Sequence, residues 1–278
     1  MGDSNPKNGD GYKISVDLLA LRQSFVARLQ YLLELLNFGF VSSARVNSAD
    51  YGPYDQFLTV SFGERLMSFD LTVDEARRWY LTNGLRDAIE VVNAFLEQCR
   101  TICALVDAVD AQDIDRVNAA IDSEARRFHK HGLPRKIEIL REQYGVSSFL
   151  DSHVISINSV RNCLVHRSGI VSHADVNEHG ELKLLIRSMG AFAENEDLGT
   201  ERPIDREGAI IAPGEKVYVQ LGEYAKVFHL DERIDLSYPE LYYAFWSVFD
   251  FILSITVAVE NYARDRIPGA FPSQDPLA

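Results

Sequence analysis

Three cysteines in 278 residues, Cys99, Cys103 and Cys163, with no C-x-x-C pair among them, argue against a disulfide framework. They fall on segments of helical period and read as reduced core residues in a cytoplasmic protein. Positive charge is scarce too. Against 41 Asp and Glu stand 28 Lys and Arg, a formal net charge of -13. That balance excludes a surface that coats nucleic acid without selection and leaves room only for a local basic cleft. The opening residues, Met1 to Asp10, are polar and hold no apolar signal core, which argues against secretion and predicts disorder over residues 1–12.

Other absences narrow the chemistry. The chain has no Walker-type loop, no G-x-G-x-x-G, no G-x-S-x-G and no H-E-x-x-H. Nucleotide hydrolysis, dinucleotide redox chemistry and zinc proteolysis therefore lack residue-level support, and no cofactor or metal is expected. His173, Asp175, Glu178 and His179 share neither a helical face nor a ligand spacing, and read as a solvated turn between strands. One apolar stretch, Leu241 to Glu260, approaches membrane-spanning length. Asp250 sits inside it and no basic cluster precedes it, so it reads as a core helix, with no membrane partner. Internal repeats and low-complexity tracts are also missing.

What is present is mostly helical period. With 46% hydrophobic and 25% charged residues the chain can bury a sizeable core. Apolar residues recur at helical spacing from Val16 to Phe40, and Gly39 with the polar run after it predicts the end of that helix. Residues 41–70 read as a loop with a short hairpin. Leu85, Ile89, Val92, Leu96, Cys99, Cys103 and Val106 then form one narrow stripe of a long helix, either the seam of an intramolecular bundle or a dimer interface. A helix from Asp113 through Phe128 is stopped by Gly132, and Pro134 opens another that ends at Gly145. Ser148 and Asp151 have the spacing of a capping box for a helix running through Arg161 and His166 to about Ser168.

Beyond Ile170 the period changes. Leu182, Leu184 and Ile186, then Val217, Val219 and Val227, alternate as strands do, with Gly214 and Gly222 as turn signals and residues 193–208 as a mobile acidic loop. The predicted fold is mainly α: an antiparallel helical bundle over residues 13–278 as a single domain, with a small antiparallel β insertion at about 171–236, before the last helix. The aromatic residues of that last helix read as core packing.

The segment with chemical potential is Arg161-Asn-Cys-Leu-Val-His166. On a helix Asn158, Asn162 and His166 share one polar face, whereas Arg161 falls in the apolar arc, roughly 140° from His166. A guanidinium in such an arc must reach a carboxylate, a polar cleft or another chain, because unpaired burial is very costly. It is either a structural ion or part of a site. Spacing alone does not decide between them, since Arg126-Arg-Phe-His-Lys-His131 repeats it at a charged helix end that reads as exposed or as an RNA-approach patch.

The string Ile157-Asn-Ser-Val-Arg-Asn-Cys-Leu-Val-His-Arg-Ser-Gly-Ile-Val171 resembles the signature helix of HEPN domains: Arg, a polar residue, apolar positions, then His. The match covers about fifteen residues; outside them it is one of architecture. The resemblance implies a helical bundle that forms a homodimer with the signature helices face to face, and an endoribonuclease that works without metal, in toxin or antiviral-defence settings. Carried over by position, Arg161 would hold the scissile phosphate, His166 would transfer protons as the 2′-hydroxyl attacks, and Asn162 would orient one of them. Beside them, Asn158 and Arg167 are read as candidate substrate contacts, with Arg167 either on a phosphate or simply solvated. RNA, a second copy and an antitoxin or regulatory protein are the implied partners, and a catalytically silent HEPN binding module is the alternative. One departure stands out: members silenced by a nucleotidyltransferase partner carry a Tyr two residues after the His, where this chain has Ser168.

Overall fold

The computed structural model describes residues 16–47, 69–109, 114–195, 200–204, 211–212 and 215–267. Among them are six helices: α1 Leu18–Arg45, α2 Phe69–Asp107, α3 Ile114–His129, α4 Leu133–Tyr144, α5 Asp151–His166 and α6 Tyr238–Arg266. Between α5 and α6 lie β1 Glu181–Asn195, β2 Thr200–Pro203 and β3 Glu215–His229, an antiparallel sheet in the order β2-β1-β3. The fold is mainly α with a small antiparallel β insertion, as the two periods predict.

The stripe of α2 is the centre of the core. Leu85, Ile89, Val92, Leu96, Cys99 and Cys103 are buried, and Val106 packs against them. Their neighbours come from α1, α3, α4, α5 and α6 of the same chain, so the stripe serves as an internal seam. All three cysteines are free and buried. Burial pushes the Cys103 thiol up to about 12 and the Cys163 thiol up to about 11, which leaves almost no thiolate at neutral pH.

α6 is long and apolar enough to cross a membrane by length and composition, and half of its most apolar window is buried within the protein. It starts where Ser237 accepts from the Glu240 backbone N–H and the Glu240 carboxylate accepts from the Ser237 N–H.

β1 shows how the insertion is held to the bundle. β3 pairs with its whole length on one side, whereas β2 pairs only with residues 192–195 on the other. Helix side chains bond several of the backbone groups that β2 does not reach. The Leu185 N–H donates to Ser156 Oγ of α5 at 2.8 Å, the Arg187 N–H donates to Ser247 Oγ of α6 at 2.7 Å, and Tyr243 Oη donates to the Met189 carbonyl at 3.0 Å. Covering an edge in this way leaves few orphan backbone groups. Ser247 is fully buried, so Ser247→Ala strands the Arg187 N–H and is expected to cost about 1–3 kcal/mol in urea unfolding. A loss below a few tenths would show that water replaces the hydroxyl.

Four expectations need correction. Gly39 does not end α1: it is buried inside the helix, where a Cβ would sit 2.7 Å from the Tyr80 ring, so the residue is there for close packing on α2. Gly222 is not a turn; it lies within β3, opposite Ser188. Of the stretch taken as a mobile loop, Ala193–Asn195 completes β1 and Thr200–Pro203 forms β2. Asp175 is not solvated, and its turn joins α5 to β1 rather than two strands. The expected disorder over residues 1–12, most of the hairpin over 41–70, and Gly214 lie outside the described residues.

Candidate functional site at the end of α5

α5 starts where the Asp151 carboxylate accepts from the Ser148 N–H at 3.1 Å and Ser148 Oγ accepts from the Leu150 N–H. This is half of the predicted box, since Ser148 does not reach the Asp151 N–H through its side chain. Val154, Ile157, Val160, Cys163 and Leu164 bury one side of the helix. The chain then turns sharply: the Arg167 and Gly169 N–H groups both donate to the Cys163 carbonyl, and Gly169 takes φ +74°, which glycine adopts without penalty.

Arg161 meets the requirement set by its position in the apolar arc. Its side chain is only 16% exposed and its Nη2 donates to Glu90 Oε1 on α2 at 3.0 Å. Its Nη1 donates to Asn162 Oδ1 at 3.0 Å, and its Nε is buried without a partner. Glu90 is 58% exposed, so the ion pair sits at the protein's edge and contributes little net stability. Arg161 and Asn162 are therefore brought together as one unit. His166, five residues on, is exposed and makes no side-chain bond among the described residues. Within one chain the guanidinium faces α2 and the imidazole faces solvent.

The two expected substrate contacts are placed differently. Asn158 is buried, which keeps its amide from a ligand at the surface. Arg167 grips Asp175 with two bonds, Nε to Oδ2 and Nη2 to Oδ1, both 2.6 Å. Burial alone would raise the Asp175 carboxyl, but bonds from Arg167 and from the Ser172 N–H and Oγ hold it below the usual carboxylate range. Arg167 thus clamps the turn after α5.

The basic end of α3 is exposed at Arg126 and Arg127, and His131 just beyond it is exposed too, while His129 Nδ1 lies 3.0 Å from Glu97 Oε1. Among the described residues no group of three or more His, Cys, Asp or Glu is placed to hold a metal ion. Sequence reasoning missed Glu90 and its neighbours. Glu90, Asn93 and Glu97 form a polar row on α2 at the same helical spacing as the apolar stripe; Glu90 meets Arg161, and the other two meet the buried Lys136. That row was visible in the sequence, although its partners were not. No protein-family model, curated protein or solved structure matches this chain.

Proposed function

We propose that the chain is a HEPN-type domain that cleaves RNA without metal, at a site completed by a second copy of itself. The observation that carries this reading is an exposed imidazole at the end of α5, without a partner among the described residues, close in sequence to a guanidinium that Asn162 already orients. The Glu90 carboxylate occupies the fork that a phosphate would take, and its exposure makes the contact weak enough to exchange. In the reaction one imidazole removes the 2′-hydroxyl proton as O2′ bonds to phosphorus. The P–O5′ bond breaks, an acid protonates O5′, and Arg161 offsets the added charge on the phosphorane. Products end in a 2′,3′-cyclic phosphate and a 5′-hydroxyl. Because one chain sets Arg161 and His166 on different sides, a homodimer supplies the missing partner of each. A cytoplasmic toxin or antiviral-defence effector, restrained by a regulatory protein, is the setting that fits such an activity.

A silent HEPN module that binds a partner is the second reading. It is favoured by the engagement of Arg161 within its own chain and by the net charge of -13. Incubation of purified protein with RNA in excess chelator separates the two. Cleavage with cyclic-phosphate ends is expected; intact RNA defeats the nuclease reading, and cleavage only after a divalent metal is added defeats the metal-independent mechanism.

A further inference from the structure

The last turns of α1, the first turns of α2 and the strap 233–238 that leads into α6 line a half-open cavity of about 700 Å3. In a strongly acidic chain, three guanidiniums line it: Arg77, Arg78 and Arg233. Two carboxylates, Asp74 and Asp235, line it as well. Arg77 gives its Nε to Ser43 Oγ at 3.3 Å, and Arg78 gives one nitrogen to Glu75. Arg233 is exposed and makes no side-chain bond among the described residues. Phe40 and Tyr238, their ring centroids 5.7 Å apart, form an apolar wall.

The cavity adjoins the end of α5. Arg233 bridges Ile170, and the Ile234 N–H donates to the Gly169 carbonyl at 2.7 Å, so the strap is bonded to the turn that follows His166. On the other wall, Leu81 lines the cavity, and the span of α2 from there to Glu90 is roughly 14 Å.

Arginines that can meet phosphates, beside aromatic rings that can stack a base, are what a single nucleic-acid strand needs. We propose that this cavity is a binding site for single-stranded RNA that leads the strand toward His166, with Arg233 and Arg77 on phosphates and the Phe40–Tyr238 wall against a base. The inference rests on reading the end of α5 as an RNA site.

The test uses the full chain carrying His166→Ala, so that RNA stays intact, and a fluorescein-labelled single-stranded oligouridine read by anisotropy. Adding Arg233→Glu, which breaks no side-chain bond among the described residues, is expected to weaken binding several-fold and to lower the slope of affinity against salt by about 0.7. Arg77→Glu with Arg233→Glu weakens it further, while Arg126→Glu with Arg127→Glu at the end of α3 leaves it unchanged. Equal affinity for the Arg233 variants and their parent overturns the site, and so does equal loss from the α3 pair or equal binding of duplex DNA. If binding depends on Arg233 but the native chain never cleaves, the nuclease reading falls and the cavity stands. If cleavage occurs and Arg233 is indifferent, the reverse holds.

Discussion

Replacing His166 with alanine is expected to lower the RNA cleavage rate by roughly a hundred- to ten-thousand-fold while leaving the unfolding midpoint in place. The size follows from the usual worth of a positioned proton-transfer group. The unchanged stability follows from exposure, because the imidazole makes no bond among the described residues whose loss the fold would register. Arg161→Ala is expected to cost about a hundred- to a thousand-fold through lost charge on the phosphorane. Since that side chain is largely buried, Arg161→Lys is the better probe: it keeps the charge, loses the fork that Asn162 and Glu90 hold, and should recover only part of the rate. Glu90→Gln moves the other way, lowering KM for RNA several-fold as the competing carboxylate disappears. Mixing the His166→Ala and Arg161→Ala proteins is expected to restore cleavage that neither shows alone, if each site draws on two chains. Undiminished cleavage by His166→Ala would falsify the proposed role.

How much of this was readable beforehand depends on whether the cause was local. The α2 stripe, the turn at Gly145 and the alternation of β1 each arise from neighbours a few residues apart, and each was legible. Gly39 was not, because nothing near it in sequence announces that the ring of Tyr80 will press on it; a helix-ending glycine and a packing glycine look alike until the second helix arrives. The same applies to the candidate site. That Arg161 needed a carboxylate, a polar cleft or another chain followed from its place on the helix, but that the partner would be Glu90, 71 residues away, did not. For Arg167 the local cue misled: beside His166 it reads as a phosphate contact or a solvated charge, whereas Asp175, eight residues on, takes two of its guanidinium nitrogens.

The polar row on α2 also sets a large stability effect expected of one surface-reaching residue. Lys136 of α4 is only 3% exposed, and its ammonium donates to Glu97 Oε1 at 2.6 Å and to Asn93 Oδ1 at 3.3 Å. Glu97→Ala leaves that ammonium buried without a counter-charge, at an expected cost of about 3 kcal/mol and a fall in Tm of roughly 6–10 °C. Restoring an apolar match with Glu97→Ala and Lys136→Met together should recover most of the loss. Glu142→Ala, at the exposed pair with Arg135, serves as the near-neutral control. The pH dependence has a definite sign. Burial would raise the Glu97 carboxyl, but Lys136 and His129 outweigh it and hold the group below its usual value of 4.5. The contribution is therefore complete above that value and drains away as pH falls through the lower, folded one. In the Glu97→Ala protein this part of the acid destabilisation should be missing, so its stability should converge on that of the native chain as the pH drops. Because Glu90 stands on the same row, α4 and α5 are tied to one face of one helix. Loss of Glu97 should therefore loosen the Arg161 contact as well, which amide exchange along α5 would detect.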